Sequence, residues 1–158
     1  MRKDTRGFSL IELLIVVAII LIIAAIAIPN LLKSRIAANQ ASAVGSLRTI
    51  NTGEIEYAST YNTGFSPTLA ALGPPASGTD TASASGVIDS VLAAGTKAGY
   101  TFVYSTTAVS SRYDTYTLNG NPVTVGTTGT NYYFTDQTGV IRQNSTQAAS
   151  ASDSPIGG

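Results

Sequence analysis

One glutamate stands inside a long apolar stretch near the start of the chain. Between Phe8 and Ile28 every residue is apolar or small except Ser9 and Glu12. As an α-helix this stretch is about 31 Å long, close to the hydrocarbon core of about 30 Å of a lipid bilayer. A carboxylate inside such a span costs about 2.5–3.5 kcal/mol, so Glu12 indicates a task beyond anchoring.

A positively charged partner for Glu12 would appear if the chain were cut between Gly7 and Phe8. The cut removes a short basic leader, residues 1–7, and gives Phe8 a free α-amino group one helical turn from Glu12. Charges in an apolar setting are tolerated when they are paired. If the helices of two copies pack side by side with a small axial offset, the amine of one copy meets Glu12 of the next. The spacing therefore predicts a contact that sets the register of an assembly.

Two simpler interpretations compete for residues 1–30. A conventional secretory signal would end near small residues such as Ala25 and Ala27, but its apolar region should be only about 7–15 residues long. A plain transmembrane anchor explains the length of the stretch and leaves its glutamate unexplained. In either case the basic residues before the stretch favour a cytoplasmic start.

The rest of the chain lacks the residue types that most often serve catalysis and metal binding. The sequence has no cysteine and no histidine, and its 9 basic and 9 acidic residues give a net charge of zero. Disulfides, thiolate catalysis and histidine-based metal sites are therefore excluded, and no nucleophile is paired with a base. We expect no enzyme activity, no cofactor and no obligate nucleic-acid partner.

Metal binding and covalent modification have only weak signals. The aspartates Asp80, Asp89, Asp114 and Asp136 lack the spacing of a calcium-binding loop, so no metal site is predicted. Asn144 begins an Asn-Ser-Thr triplet, which is the acceptor signal for N-glycosylation. Asn144 is therefore the candidate modification site.

One long helix, predicted from about residue 8 to residue 60, must position Glu12. The part 8–28 is apolar on all sides and would form a membrane or filament core, whereas the part 29–60 is amphipathic. Pro29 lacks an N–H group and is expected to kink the helix between the two parts. The apolar face of the second part comprises Ile36, Ala43, Leu47, Ile50, Tyr57 and Tyr61.

A small globular head is predicted over residues 61–143. Its loop, 61–98, is punctuated by glycine and proline and contains a short helical turn with Ser66 as N-cap, followed by a short helix near 87–95. Its sheet region, 99–143, is expected to hold extended segments at 100–106, 112–120, 122–126, 132–135 and 140–142. Asn119-Gly120 predicts a turn, and a hairpin joins the last two segments. The polar tail, 144–158, is expected to be flexible.

The N-terminal features resemble the type IV pilin and pseudopilin family. The resemblance is carried by Gly7-Phe8-Ser9-Leu10-Ile11-Glu12, the apolar run behind it and Pro29. It implies that a prepilin peptidase cuts after Gly7 and methylates the new amino group of Phe8, and that Glu12 serves recruitment and packing into a helical filament. It also implies an α+β pilin fold, in which the long helix packs against an antiparallel sheet of three or four strands.

The function implied by the resemblance is that of a structural subunit of a type IV pilus. The precursor would sit in the inner membrane as a single-pass protein, with its leader in the cytoplasm, its head outside and lipid as its partner. The pilus assembly machinery of that membrane would then build an extracellular homo-oligomeric filament.

Three alternatives to the pilus subunit stay open. The nearest is a pseudopilin of a type II secretion system, which forms a short periplasmic filament. The others are a membrane-anchored surface domain that does not polymerise and a minor pilin for DNA uptake. Many family members close their C-terminal region with a disulfide, which this cysteine-free chain cannot form.

Overall fold

The computed structural model describes residues 8–157. The predicted leader, residues 1–7, and with it Gly7, lie outside this range. Contacts within the chain divide it into two compact units, one ending at Arg35 and the other beginning at Ile36. We call residues 8–35 the N-terminal unit and residues 36–157 the head unit.

Helix α1 runs from Leu10 to Tyr61 and confirms the predicted long helix. Its helical assignment continues through Pro29. The helix ends where Asn62 and Gly64 take left-handed φ angles of 55° and 84°. Asparagine and glycine tolerate this conformation better than other residues do, so the sequence itself marks the end of the helix.

The head unit contains one antiparallel sheet whose five strands lie side by side in chain order. This is the pilin-like α+β fold that the sequence predicts, with five strands where three or four were expected. The additional strand is the first, which has only two residues and gives no periodic signal. The strands are β1 (Thr96–Lys97), β2 (Tyr100–Thr106), β3 (Tyr116–Pro122), β4 (Tyr132–Asp136) and β5 (Arg142–Asn144).

The turn predicted at Asn119-Gly120 is wrong, because both residues lie inside β3. They pair with Val103 and Phe102 of β2. Gly120 faces the core: a Cβ atom there would lie 3.5 Å from the Phe102 ring and 3.7 Å from the Cβ of Tyr133. These are ordinary van der Waals distances, and Gly120 belongs to β3 because it pairs with β2 and β4, which the dipeptide alone does not reveal.

Two short helices precede the sheet, a 3₁₀ turn at Leu69–Leu72 and α2 at Ser90–Ala93. The N-cap of the 3₁₀ turn is Thr68, whose hydroxyl accepts a hydrogen bond from the backbone N–H of Ala71 at 3.2 Å. The prediction of Ser66 as the cap is wrong. Ser66 is fully buried and donates its hydroxyl to another side chain.

The core of the head unit joins the buried face of α1 to alternate residues of the strands. Alternation follows from the period of two in a strand, which sends successive side chains to opposite faces of the sheet. The helix contributes residues at the predicted apolar positions. The main members are Ala43, Leu47, Ile50 and Tyr57 from α1 and Tyr100, Phe102, Tyr116, Leu118 and Tyr133 from the strands.

The C-terminal tail packs on the sheet, which differs from the flexible tail predicted for 144–158. Ala149 is buried, and its carbonyl accepts a hydrogen bond from the side-chain amide of Asn119 at 2.8 Å. The N–H of Ile156 donates to the carbonyl of Ile141 at 2.9 Å, so residues 154–156 run beside β5. The pairing uses backbone groups, which a polar composition does not disclose.

Candidate assembly site

Glu12 lies in the first turn of α1 and contacts the backbone that precedes it. Its Oε2 accepts a hydrogen bond from the N–H of Ser9 at 2.9 Å, and the carbonyl of Ser9 accepts from the N–H of Leu13 at 3.2 Å. Ser9 and Glu12 have the spacing of a capping box, in which a glutamate satisfies one of the free donors of the first turn. The positive end of the helix dipole also favours a carboxylate here.

Phe8 lies one residue before this capping contact and is 78% exposed. In the uncut chain its nitrogen is part of the peptide bond to Gly7, so Glu12 faces a backbone donor and not an amine. A cut after Gly7 would create the amine within the same helical turn. Phe8 directly precedes Ser9, whose N–H contacts Glu12. The pairing of a Phe8 amine with Glu12 of another copy stays a prediction.

The N-terminal unit exposes a continuous apolar surface. From Phe8 to Leu32 every large apolar side chain is between 41% and 81% exposed. Helix α1 is long and apolar enough to cross a membrane, and none of the residues in its most apolar part is buried. An apolar surface of this extent marks a site that lipid or another protein covers.

Pro29 lies inside α1 at the end of the apolar stretch. It has no N–H group to donate to the carbonyl of Ala25, so one hydrogen bond of the helix is missing there. The kink at Pro29 stays a prediction, with this missing bond as its physical basis.

Asn144, the predicted modification site, uses both ends of its side-chain amide within the fold. Its Nδ2 donates to Oδ1 of Asp153 at 2.8 Å, and its Oδ1 accepts from the N–H and the hydroxyl of Thr146, both at 2.9 Å. N-glycosylation modifies Nδ2, the atom that contacts Asp153. Modification of Asn144 stays a prediction that would require this contact to open.

The four aspartates considered for calcium do not form a cluster. Asp89 caps α2 and pairs with Lys97 at 2.9 Å, and Asp136 accepts the N–H of Thr138 at 2.9 Å in a turn. Within residues 8–157 no group of three or more acidic, histidine or cysteine side chains could hold a metal ion.

Glu54 is a second glutamate of α1, and the sequence reasoning missed it. It is fully buried in the head unit, where Ser66 donates both its N–H and its hydroxyl to the carboxylate. Burial raises the pKa of Glu54, although the hydrogen bonds from Ser66 act in the opposite direction. The available signal was spacing: Leu47, Ile50 and Tyr57 define a buried stripe to which Glu54 also belongs.

The first part of the chain has recognisable relatives. Residues 2–28 match the prokaryotic N-terminal methylation motif. Over 49 residues the chain is 53% identical to the type IV major pilin protein PilA of Myxococcus xanthus. Over 37 residues it is 62% identical to the type IV wide pilus major component PilA4 of Thermus thermophilus. The N-terminal segment is similar to that of type IV pilins.

The matches to these pilins are confined to part of each protein. The first covers 31% of this chain and 22% of the Myxococcus protein, and the second covers 23% of this chain and 28% of the Thermus protein. No solved structure matches the chain significantly. The resemblance recognised from the Gly7-Phe8 junction and Glu12 is confirmed for the pilin segment, and the head unit adds a pilin-like α+β fold.

Proposed function

We propose that this chain is a structural subunit of a type IV pilus, assembled from an inner-membrane precursor into an extracellular helical filament. The observation that carries the proposal is the exposed apolar surface of residues 8–32 with Glu12 at its start. The match to the N-terminal methylation motif and to two pilins supports it. The protein's role is that of a building block and includes no catalysis.

Assembly exchanges one apolar environment for another. Before assembly, lipid covers residues 8–28; afterwards the same residues of neighbouring copies cover them. Because lipid tails are as apolar as leucine, this exchange gives little hydrophobic gain, and packing and polar contacts must provide specificity. Pairing of the Phe8 amine with Glu12 of another copy is the polar contact that we assign to this task.

Processing prepares this contact. A prepilin peptidase cuts between Gly7 and Phe8, which removes the basic leader 1–7, and N-methylates Phe8. The secondary amine that results still carries a positive charge and keeps donors for a carboxylate. The assembly machinery of the inner membrane then adds the processed copy to the filament. The flexible point that we propose for this transfer is Pro29, where α1 lacks a hydrogen bond.

The division of labour along the chain follows from this assignment. Residues 8–28 form the filament core, and residues 29–60 continue α1 from that core into the head unit. The loop 61–98 and the sheet region 99–143 form the outer surface. The packed tail, 144–157, belongs to that outer part. The head carries the chemistry that a cell presents to its surroundings.

N-terminal sequencing and intact-mass analysis of fibres sheared from cells test the proposal directly. We expect a chain that begins at methylated Phe8. An uncut Met1, or a chain that begins at Ile28, would contradict it. Electron microscopy of the same cells separates the alternatives: long surface fibres support a pilus, whereas a filament confined to the periplasm indicates a type II secretion pseudopilin.

A further inference from the structure

Glu54 places a carboxylate in the interior of the head unit without a cation beside it. Glu54 and Ser66 are both 0% exposed. Ser66 donates its N–H to Oε2 at 2.7 Å and its hydroxyl to Oε1 at 2.6 Å. Over residues 8–157 the ion pairs are Lys97 with Asp89 and Arg112 with Asp114. A buried charge without a partner is costly, so this carboxylate requires an explanation.

The hydrogen bonds around Ser66 accommodate a neutral Glu54 as well as an ionised one. In the ionised form the Ser66 hydroxyl donates to Oε1. In the neutral form the proton on Oε1 donates to the Ser66 hydroxyl, which in turn donates to the carbonyl of Thr68, 3.1 Å away. The N–H of Ser66 contacts Oε2 in both forms. The neutral form adds a second hydrogen bond to the carbonyl of Thr68, which also accepts the N–H of Ala71 at 3.1 Å, and it leaves no charge in the interior.

This cluster connects helix α1 to the segment that follows it. Glu54 belongs to α1, and Ser66 lies 12 positions further along, beyond the end of the helix. The hydroxyl of Tyr104, on strand β2, donates to the carbonyl of Ser66 at 2.8 Å. Glu54 of the helix and Tyr104 of the sheet therefore both hold Ser66 of the connecting loop.

We propose that Glu54 and Ser66 form a proton-operated latch between α1 and the connecting loop, which is closed while Glu54 is neutral and loosened when Glu54 ionises. The latch is independent of the filament contact at Glu12 and holds for the head unit whether or not the chain forms a pilus. Its chemistry is a single proton transfer between Glu54 and solvent, with the Ser66 hydroxyl reorienting in response.

The direction of the pH dependence follows from the environment of the carboxyl group. Burial raises the pKa of Glu54 above its ordinary value of 4.5, and Glu54 lies outside the proposed membrane-spanning residues 8–28. The stabilisation is therefore fully present below pH 4.5 and is lost as the pH rises through the folded-state pKa.

The ionisable groups that face the latch are tyrosines. They are Tyr57 from α1, Tyr104 from β2 and Tyr116 from β3, and burial is the main cause that raises the pKa of each of them. All three therefore stay neutral over the range in which Glu54 titrates. The ionisation of Glu54 is thus the one protonation event of this cluster in that range.

The latch also shapes a surface of the head. Ser66 is followed by Pro67, Thr68 and Leu69, which together with Tyr104 line an open cleft of about 430 Å³. Because Ser66 fixes the start of this run and contacts Tyr104, opening the latch would move one side of the cleft. The pH at the cell surface would then affect what the head presents there.

NMR of the full chain in detergent micelles, titrated from about pH 3 to about pH 9, tests the latch. We expect the side-chain carboxyl signal of Glu54 to titrate with a midpoint above 4.5, and the amide signal of Ser66 to move with the same midpoint. A midpoint at or below 4.5, or an amide of Ser66 that does not respond, would overturn the proposal.

Denaturant unfolding of the head unit, followed by near-ultraviolet tyrosine signals over the same pH range, provides the second measurement. The folding equilibrium constant of the wild type should fall by at most about tenfold per pH unit above pH 4.5. Glu54→Gln has nearly the same size as the wild-type side chain but no ionisable group, so it should remove the pH dependence of unfolding. The matched change Glu56→Gln, at an exposed position of α1, should retain that pH dependence. An unchanged slope in Glu54→Gln would contradict the latch, and if that variant does not fold, the titration of the wild-type carboxyl group decides.

Discussion

Glu12 and Glu54 of α1 show how the same side chain can be placed in different surroundings in the two units. Glu12 lies in an exposed turn and contacts the N–H of Ser9, three positions away. Glu54 is sealed inside the head unit and contacts Ser66, 12 positions away. The N-terminal unit thus exposes its apolar surface, and the pairing of Glu12 with another copy that we propose would supply a partner from outside the chain. The head unit provides the donors for the carboxylate of Glu54 from its own residue Ser66.

The surrounding residues explain this contrast. Around Glu12 the side chains are apolar and exposed, so the free energy of this unit depends on what covers them. Around Glu54 the side chains are packed, and the sheet and helix share one core. We infer that substitutions in the N-terminal unit change assembly, whereas substitutions in the head unit change folding.

Glu12 offers the largest expected effect. Glu12→Leu should reduce the yield of sheared filaments at least about tenfold, the equivalent of about 1.4 kcal/mol, because the amine of a neighbouring copy loses its partner. The unfolding midpoint of the head unit should not change. The measurements are immunoblots of the sheared fraction and denaturant unfolding of the purified chain.

Glu12→Gln separates the charge of Glu12 from its capping contact. Glutamine still accepts the N–H of Ser9 but cannot neutralise an amine. If pairing between copies is the decisive contact, Glu12→Gln should assemble as poorly as Glu12→Leu. Assembly at the wild-type level would show that capping of α1 is sufficient and would remove the charge pair from the proposal.

Leu47 tests the inference that substitutions in the head unit change folding. It is 0% exposed in the core of the head unit, and Leu47→Ala should lower the free energy of unfolding by about 2–5 kcal/mol through lost burial and a residual cavity. Insertion of the N-terminal segment into membranes should be unaffected. Circular dichroism with denaturant and membrane fractionation measure the two outcomes.

Ile55→Ala is the matched control for Leu47→Ala. Ile55 lies on the same helix but is 66% exposed, so its truncation should change the free energy of unfolding by no more than about 0.5 kcal/mol. Equal losses in the two variants would mean that the core of the head unit is not where the structure places it. A loss at Ile55 in filaments alone would indicate that a neighbouring copy covers it.

Long, periodic features of this fold could be predicted from the sequence. The apolar spacing of α1 and the Tyr100–Thr106 strand were predicted because many residues contribute to each signal. Glu12 was recognisable because a charge among apolar residues contradicts its surroundings. The pairing of Glu12 with Phe8 was also derived from the residues, and it stays a prediction.

Features that depend on contacts distant in sequence could not be predicted in this way. Asn119-Gly120 has the composition of a turn, but pairing on both sides makes it part of β3. Helical spacing places Glu54 on the buried stripe of α1, but its hydrogen bonds come from Ser66, 12 positions away, and spacing does not reveal that partner. The packed tail depends on backbone pairing with β5, and every residue except proline carries the same backbone donor and acceptor.

Substitution of Asp153 has the smallest expected effect on stability, and the pKa of Asp153 is shifted in the direction opposite to that of Glu54. Its Oδ2 accepts the N–H of Ser150 at 2.7 Å and its Oδ1 accepts Nδ2 of Asn144 at 2.8 Å. These hydrogen bonds, the one from the Ser150 backbone first, lower the pKa of Asp153 below its ordinary value of 3.8. Its stabilisation is therefore present above pH 3.8 and is lost as the pH falls through the folded-state pKa.

Glu54 and Asp153 should consequently give the head unit opposite pH dependences, with stability lost above pH 4.5 through Glu54 and below pH 3.8 through Asp153. Asp153→Asn should reduce the loss of stability in acid, to which Asp89 also contributes because the hydrogen bond from Lys97 lowers its pKa. It should leave the loss above pH 4.5, which belongs to Glu54, unchanged. Asp80→Asn is the control, because Asp80 is exposed and accepts none of the hydrogen bonds found among residues 8–157. If both asparagine variants reduce the loss of stability at low pH equally, the effect comes from the net charge of the head unit. If only Asp153→Asn does so, the packed tail is held by its own carboxylate, in a chain that has no disulfide to hold it.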